Sequence, residues 1–160
     1  MSDEMVIAFT LNGAAMRRRV PVRLHAVDAL REVFGLTGSR VACEHGTCGA
    51  CTIRVDGAAV RGCLLLAPQL DGADVWTIEG LTASGAIADL QAAFYARNAM
   101  QCGYCTAGML ITSAELLEAG QPATRAEIRE HLSGNYCRCT GYQSLIDAVE
   151  ETLAARRASA

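Results

Sequence analysis

Eight cysteines are the residues of this chain whose type and spacing could carry chemistry, and they fall into two sets of four. The first set is Cys43, Cys48, Cys51 and Cys63, which gives the pattern C-x4-C-x2-C-x11-C. Thiolates are soft ligands for metal ions and metal clusters. In a reducing compartment, where disulfides are rare, metal binding is the usual reason for so many thiols.

The spacing of the first set favours a [2Fe-2S] cluster over a zinc ion. C-x4-C-x2-C is the plant-type arrangement, with the fourth cysteine further along the chain, whereas structural zinc prefers two C-x2-C pairs. We expect Gly46 and Gly49 to support the cluster, because glycine tolerates positive φ and lets backbone N–H groups approach the sulfur atoms. His45, in the same loop, is not needed as a ligand when four cysteines are available.

The second set is Cys102, Cys105, Cys137 and Cys139, with the pattern C-x2-C-x31-C-x1-C. This spacing is less diagnostic, and zinc stays an alternative for it when the set is considered alone. Gly103 lies between the first two of these thiols and is expected to give the loop backbone the same freedom. The four cysteines fall in two segments between predicted helices, so they can meet at one end of a helical bundle.

The first half of the chain has the pattern of a small sheet. Segments 5–11, 18–24, 52–55, 58–63 and 75–78 are predicted strands. Asn12-Gly13 and Asp56-Gly57 predict tight hairpin turns. Asp28 predicts the N-cap of a short helix that runs to about residue 33. The first cysteine loop therefore lies between this helix and a hairpin.

From about residue 80 the pattern changes from strand to helix, with LTASG as the expected linker. Helices are predicted over 86–99, around 110–117 with a stop at Gly120, from the Thr124/Glu127 capping box to about 132, and around 145–153. We therefore predict an α+β chain with two domains, a sheet domain over residues 1–80 and a helical domain over residues 81–160, each with one cysteine set.

Composition narrows the class of function. Apolar residues make up 51% of the chain and charged residues 19%, which is enough for a folded core. The net charge of -3 gives no case for a nucleic-acid partner, and no run of about 18 apolar residues predicts a membrane span. The N-terminal sequence lacks a signal pattern, and no apolar segment follows the run Arg17–Arg19. We therefore expect a cytoplasmic protein.

Three segments together resemble a known family. CEHGTCGACTIRVDG, QCGYCTAGM and SGNYCRCTGY are similar to the small iron-sulfur subunit of the xanthine oxidase family, the molybdenum hydroxylases, and the resemblance covers about residues 5–155. It implies a plant-ferredoxin-like β-grasp domain followed by a four-helix bundle domain, with one [2Fe-2S] cluster in each. Ala107 stands where the family usually has proline, which frees φ at one position and removes no ligand.

The same resemblance implies a role in electron transfer. In this family the helical-domain cluster faces a molybdenum cofactor in a large subunit, and the ferredoxin-like cluster faces FAD in a medium subunit, within a heterotrimer or a dimer of heterotrimers. Gln101 matches the position that approaches the pterin of the molybdenum cofactor. Electrons would pass from molybdenum through the Cys102 set and then the Cys43 set to FAD.

We therefore expect a non-catalytic subunit of an oxidoreductase that hydroxylates an aldehyde, an N-heteroaromatic compound, a purine, carbon monoxide or an aromatic acyl-CoA. The alternatives are a free-standing two-cluster ferredoxin and, from a different class, a zinc-stabilised binding module.

Overall fold

The computed structural model describes residues 3–159, and the first half of this range contains a five-stranded mixed sheet. The spatial order is β2-β1-β5-β3-β4, with β1 and β5 parallel and the other neighbours antiparallel. The bounds are β1 Glu4–Leu11, β2 Ala14–Pro21, β3 Thr52–Val55, β4 Ala58–Arg61 and β5 Asp74–Trp76. This sheet and the helix packed on it confirm the predicted ferredoxin-like half.

Two tight turns set the register of the sheet, as predicted. The four residues of Asn12-Gly13 and Asp56-Gly57 have φ between 49° and 86°. Positive φ at both central residues gives the turn the twist that antiparallel strands need. Because the first turn has only two residues, β2 begins at Ala14 and not at residue 18, and the strand boundary predicted there is wrong.

The short helix of the first half begins earlier than predicted. Ala26–Asp28 is α-helical and Ala29–Val33 continues as a π-helical turn, and the two together are α1. Asp28 lies inside α1, so the N-cap predicted for it is wrong. His25 occupies the N-cap, where its extended backbone pairs with Leu66 in an isolated bridge. This pairing fixes where the helix can start.

The second half is helical. Its elements are α2 Ile78–Ala83, α3 Ala88–Ala96, α4 Thr106–Glu118, α5 Arg125–Leu132 and α6 Gln143–Ala158. The last four match the predicted helices, and the Thr124/Glu127 capping box opens α5 as expected. Helix α2 was not predicted: the segment expected as a linker begins as a helix, because Leu81 is buried in the helical core. No helix within residues 3–159 is both long and apolar enough to cross a membrane.

Each half buries a separate hydrophobic core. The core of the sheet half includes Ile7, Leu30, Ile53, Leu70 and Val75, all at 0% exposure. The core of the helical half is built on Phe94, Met109, Ile111, Ile128 and Leu145. Because each core forms within its own half, the cysteine loops are left to the surfaces where the halves meet.

Helix α4 joins the halves. Gly108 lies against the first cysteine loop so closely that an added Cβ would stand 2.1 Å from the carbonyl oxygen of Gly49. Further along α4, Glu118 pairs with Arg54 of β3 at 2.6 Å. Glu115 Oε1 accepts a 2.8 Å hydrogen bond from the backbone N–H of Ala59. One helix therefore holds the hairpin and the cysteine loop at a fixed distance from the helical core.

The Gly108→Ala variant tests this contact. In an exposed helix, alanine would be favoured over glycine by about 1 kcal/mol. Here the methyl group would meet a backbone carbonyl, and overpacking of this kind costs about 1–3 kcal/mol. We expect a lower midpoint of urea denaturation than that of the unchanged protein. An equal or higher midpoint would show that the α4 contact is looser than described.

Candidate metal centres

The first cysteine loop curls around its own thiols. Glu44, Gly46 and Gly49 have φ of 59°, 81° and 74°. A Cβ on Gly46 would lie 2.5 Å from Leu64 Cδ1, and one on Gly49 would lie 1.8 Å from Asn135 Oδ1. Positive φ favours glycine at both positions, and the buried Asn135 also leaves no space for a Cβ at Gly49. The loop has the shape expected where backbone N–H groups turn toward sulfur.

The thiols of the first set lie in two pairs. The backbone N–H of Cys48 donates to Cys43 Sγ at 3.4 Å. This bond, with a second from the backbone of His45, lowers the pKa of Cys43 to about 6. In the other pair, burial and the neighbouring Cys63 thiol raise the pKa of Cys51 to about 11. Cys43 is thus poised as thiolate, whereas Cys51 is held neutral until a metal displaces its proton.

The second set assembles where the α3–α4 loop meets the α5–α6 loop, and again the thiols lie in two pairs. Cys105 contacts Cys137, and burial is the main cause that raises the pKa of Cys105 to about 12. Cys139 contacts Cys102, and a hydrogen bond between these thiols raises the pKa of Cys139. The two loops therefore meet as the sequence pattern predicted, at one end of the helical half.

Cys137 has its own hydrogen-bond partners, which sequence reasoning missed. Thr140 Oγ1 donates to Cys137 Sγ at 3.2 Å. Burial opposes ionisation of this thiol, but the hydrogen bonds outweigh it and lower its pKa. Tyr142 Oη accepts the backbone N–H of Cys137 at 2.8 Å. The only signal in the sequence was the position of both side chains directly after the last cysteine.

The two sites differ in exposure. Cys51 and Cys63 are buried, whereas Cys102 and Cys139 are exposed. Gln101, which is also exposed, lies next to this open edge. The first site therefore has one buried and one half-buried pair of thiols, whereas the second has one half-buried and one exposed pair.

The donor set fits [2Fe-2S] clusters. A cluster of this type takes four cysteines over two irons, which matches two pairs of thiols at each site. A tetrahedral zinc ion would instead need its ligands gathered around one point. His45 is exposed, and its ring nitrogen contacts the carbonyl oxygen of Cys43.

The loops of the two sites touch each other directly. The backbone N–H of Tyr136 donates to the carbonyl oxygen of Cys48 at 2.8 Å. Tyr104, which lies between the first two helical cysteines, donates its hydroxyl to the carbonyl oxygen of Val41 at 2.5 Å. The guanidinium of Arg40 lies 6.0 Å from the centroid of the Tyr104 ring. Each site is thus in contact with the backbone that carries the other.

Comparison with known proteins agrees with two iron-sulfur domains. The family described as "2Fe-2S iron-sulfur cluster binding domain" matches residues 9–76. The family described as "[2Fe-2S] binding domain" matches residues 77–150. Together the two matches span most of the chain, so the protein carries two [2Fe-2S] clusters.

Similar proteins are subunits of hydroxylases and dehydrogenases. The nicotine 6-hydroxylase small subunit of Paenarthrobacter nicotinovorans is 51% identical, over 92% of this chain and 89% of its own length. The xanthine dehydrogenase iron-sulfur-binding subunit of Escherichia coli O157:H7 is 39% identical, over 92% of this chain and 94% of its own length.

A solved structure has the same fold over its whole length. In the crystal structure of quinoline 2-oxidoreductase from Pseudomonas putida 86, a chain with 47% identity matches with a TM-score of 0.90, over 99% of this chain and 98% of that one. The fold, the two domain matches and these identities lead to one assignment. This chain belongs to the small iron-sulfur subunits of the xanthine oxidase family of molybdenum hydroxylases, and it is the electron-transfer subunit of such an oxidoreductase.

Proposed function

We propose that the eight cysteines are the ligands of the two clusters, with one iron held by each pair of thiols. The pairs are Cys43 with Cys48, Cys51 with Cys63, Cys102 with Cys139, and Cys105 with Cys137. The backbone at Gly46, Gly49 and Gly103, each with φ between 74° and 81°, lets the loops close around the sulfur atoms. We further propose that the two sites belong to separate domains, residues 1–80 and 81–160.

The observation that carries the relay function is the hydrogen bond between the two cysteine loops. Cys137 and Tyr136 are adjacent in the chain, and Tyr136 bonds directly to the carbonyl oxygen of Cys48 at 2.8 Å. The path from the backbone of Cys137 to the backbone of Cys48 therefore contains one non-covalent step, which is this hydrogen bond. When bound, the clusters supply one-electron oxidation and reduction. The chain itself fixes the separation of the two loops through this bond.

The difference in exposure supports an order for the relay. The open edge of the helical site carries Gln101, Cys102 and Cys139, and the exposed rings of Tyr104 and Tyr136 lie nearby. We propose that this edge docks on a large subunit that holds the molybdenum cofactor, with Gln101 facing the pterin. The exposed Leu64, beside the first site, would then lie toward a medium subunit that holds FAD. The assembly would be a heterotrimer, or a dimer of heterotrimers, in the cytoplasm.

The relatives also suggest a substrate class for the complex. By their names, the nicotine and quinoline enzymes act on nitrogen heteroaromatic compounds. We propose that the complex of this chain hydroxylates a compound of the same class. This chain carries the electrons away from the reaction, and its residues have no role in selecting the substrate.

Purification from the native cell tests the relay function. We expect an affinity-tagged copy of the full chain to bring down two larger chains, one with molybdenum and one with FAD. The complex should oxidise an N-heteroaromatic compound, and the chain alone should be reducible by dithionite without turnover. A chain that purifies alone with both clusters filled would support the free-standing ferredoxin instead.

Single ligand substitutions test the two separate sites. We expect Cys139→Ser to remove or distort one EPR signal of the reduced protein and to leave the other unchanged. Cys51→Ser should affect the opposite signal, because no thiol is shared between the sites. Loss of both signals from either variant, with the helical content intact by circular dichroism, would contradict two independent clusters.

The thiol pKa values predict the order of alkylation in the metal-free chain. At pH 7 Cys43, with a pKa of about 6, is mostly thiolate, whereas Cys51, with a pKa of about 11, is neutral and buried. We expect iodoacetamide to modify Cys43 at least about tenfold faster than Cys51. Peptide mass spectrometry measures both rates. Loading with iron and sulfide should protect both residues, and unprotected alkylation of Cys43 in the loaded protein would count against its role as a ligand.

A further inference from the structure

Arg61 occupies the junction between the two cysteine loops. It ends β4, two residues before Cys63. One guanidinium nitrogen donates to Thr52 Oγ1 at 2.6 Å, and the other donates to the carbonyl oxygen of Gly134 at 2.8 Å. Thr52 directly follows Cys51, and Gly134 lies three residues before Cys137. A single side chain therefore bonds to a residue beside each of the two sites.

The acceptors of Arg61 are neutral, which sets it apart from other arginines in the fold. Arg54, Arg97, Arg125 and Arg156 each pair with a carboxylate at 2.8 Å or less. No carboxylate among residues 3–159 lies within ion-pair distance of the Arg61 guanidinium, and its partners are a hydroxyl and a carbonyl. Since a guanidinium stays charged in proteins, the junction holds a positive charge with no counterion from the described part of the chain.

This charge is only partly screened by water. Arg61 is half-buried, and Thr52, to which it bonds, is fully buried. Arg40 and Arg138 also lie near the cysteine loops, but both are exposed to solvent and salt. Charges that are partly withdrawn from water act over longer distances and are less sensitive to ionic strength. Arg61 is thus the cation placed to act on both sites.

We propose that Arg61 raises the reduction potential of both cluster sites. The proposal rests on the ligand assignment proposed above. Reduction adds one electron, and so one unit of negative charge, within a shell of thiolates that is already negative. A fixed cation at the junction favours the state with more negative charge. Because it bonds beside both sites, it stabilises an added electron on either one.

A purely structural role predicts a different result. The two hydrogen bonds of Arg61 also clamp the Gly134 carbonyl to β3, and Thr52 Oγ1 continues the chain of bonds to the carbonyl oxygen of Gly49 at 2.6 Å. If only this clamp mattered, any substitution of Arg61 would loosen the junction, and charge would be irrelevant. Lysine and glutamine separate the roles: lysine keeps the charge without the fork of donors, and glutamine keeps an N–H donor without the charge.

The test is an EPR-monitored redox titration of the full-length chain loaded with iron and sulfide. We expect Arg61→Gln to lower the equilibrium constant for one-electron reduction about tenfold at both sites, which is a fall of 59 mV in each reduction potential. Arg61→Lys should retain most of the original potential. Arg54→Met is the matched control, because it breaks another contact between the halves but removes an arginine whose charge is already paired with Glu118.

The outcomes separate this proposal from the ligand assignment. If both EPR signals are present and Arg61→Gln changes the potential of either one by less than about 18 mV, a twofold change in the equilibrium constant, the proposed role of Arg61 is overturned and the clusters stay in place. Equal shifts in the lysine and glutamine variants would also overturn it, in favour of the clamp. Absence of either EPR signal from the unchanged, loaded chain would instead contradict the ligand assignment.

Discussion

The rest of the fold depends on a close backbone contact between the first cysteine loop and helix α4. Gly49 of the first cysteine loop and Gly108 of α4 meet with no room for a Cβ on either, since Asn135 occupies the space beside Gly49. Only glycine at both positions allows the loops to come near enough for Tyr136 to bond to Cys48. Electron transfer in this chain therefore depends on the distance between the two cysteine loops, and the two glycines set that distance as much as the side chains around them do.

Two separate cores make this approach rigid. If the sheet half and the helical half shared one core, a change of packing in either would move both cysteine loops. Here each half buries its own apolar residues, and they are held together by α4, by the Arg54–Glu118 ion pair and by the hydrogen bonds at the junction. Electron transfer depends on fixed cofactor positions more than on moving parts, and the protein supplies position and electrostatics while the cofactor supplies the chemistry.

The sequence predicted most of this arrangement where the signal was local. Both hairpin turns follow from a dipeptide, the α5 start follows from a capping box, and the cysteine spacing indicated the kind of metal centre. Prediction failed where contacts between distant residues determine an element. Helix α1 starts at Ala26 because His25 pairs with Leu66. Helix α2 forms because Leu81 is buried in the helical core. Thr140 and Arg61 were missed for the same reason, since only the folded chain brings Thr140 to the Cys137 thiol and Arg61 to the Gly134 carbonyl.

The resemblance added the partners and the order of the relay, which spacing alone leaves open for the second cysteine set. The geometry adds the division of eight thiols into four pairs and the backbone hydrogen bond from Tyr136 to Cys48. Both meet in one central claim, that this chain holds two separate [2Fe-2S] clusters. Iron and acid-labile sulfide, assayed together on the anaerobically purified full-length protein, test it most directly. We predict about four of each per chain; about two of each, or zinc in place of iron at either site, would contradict the account.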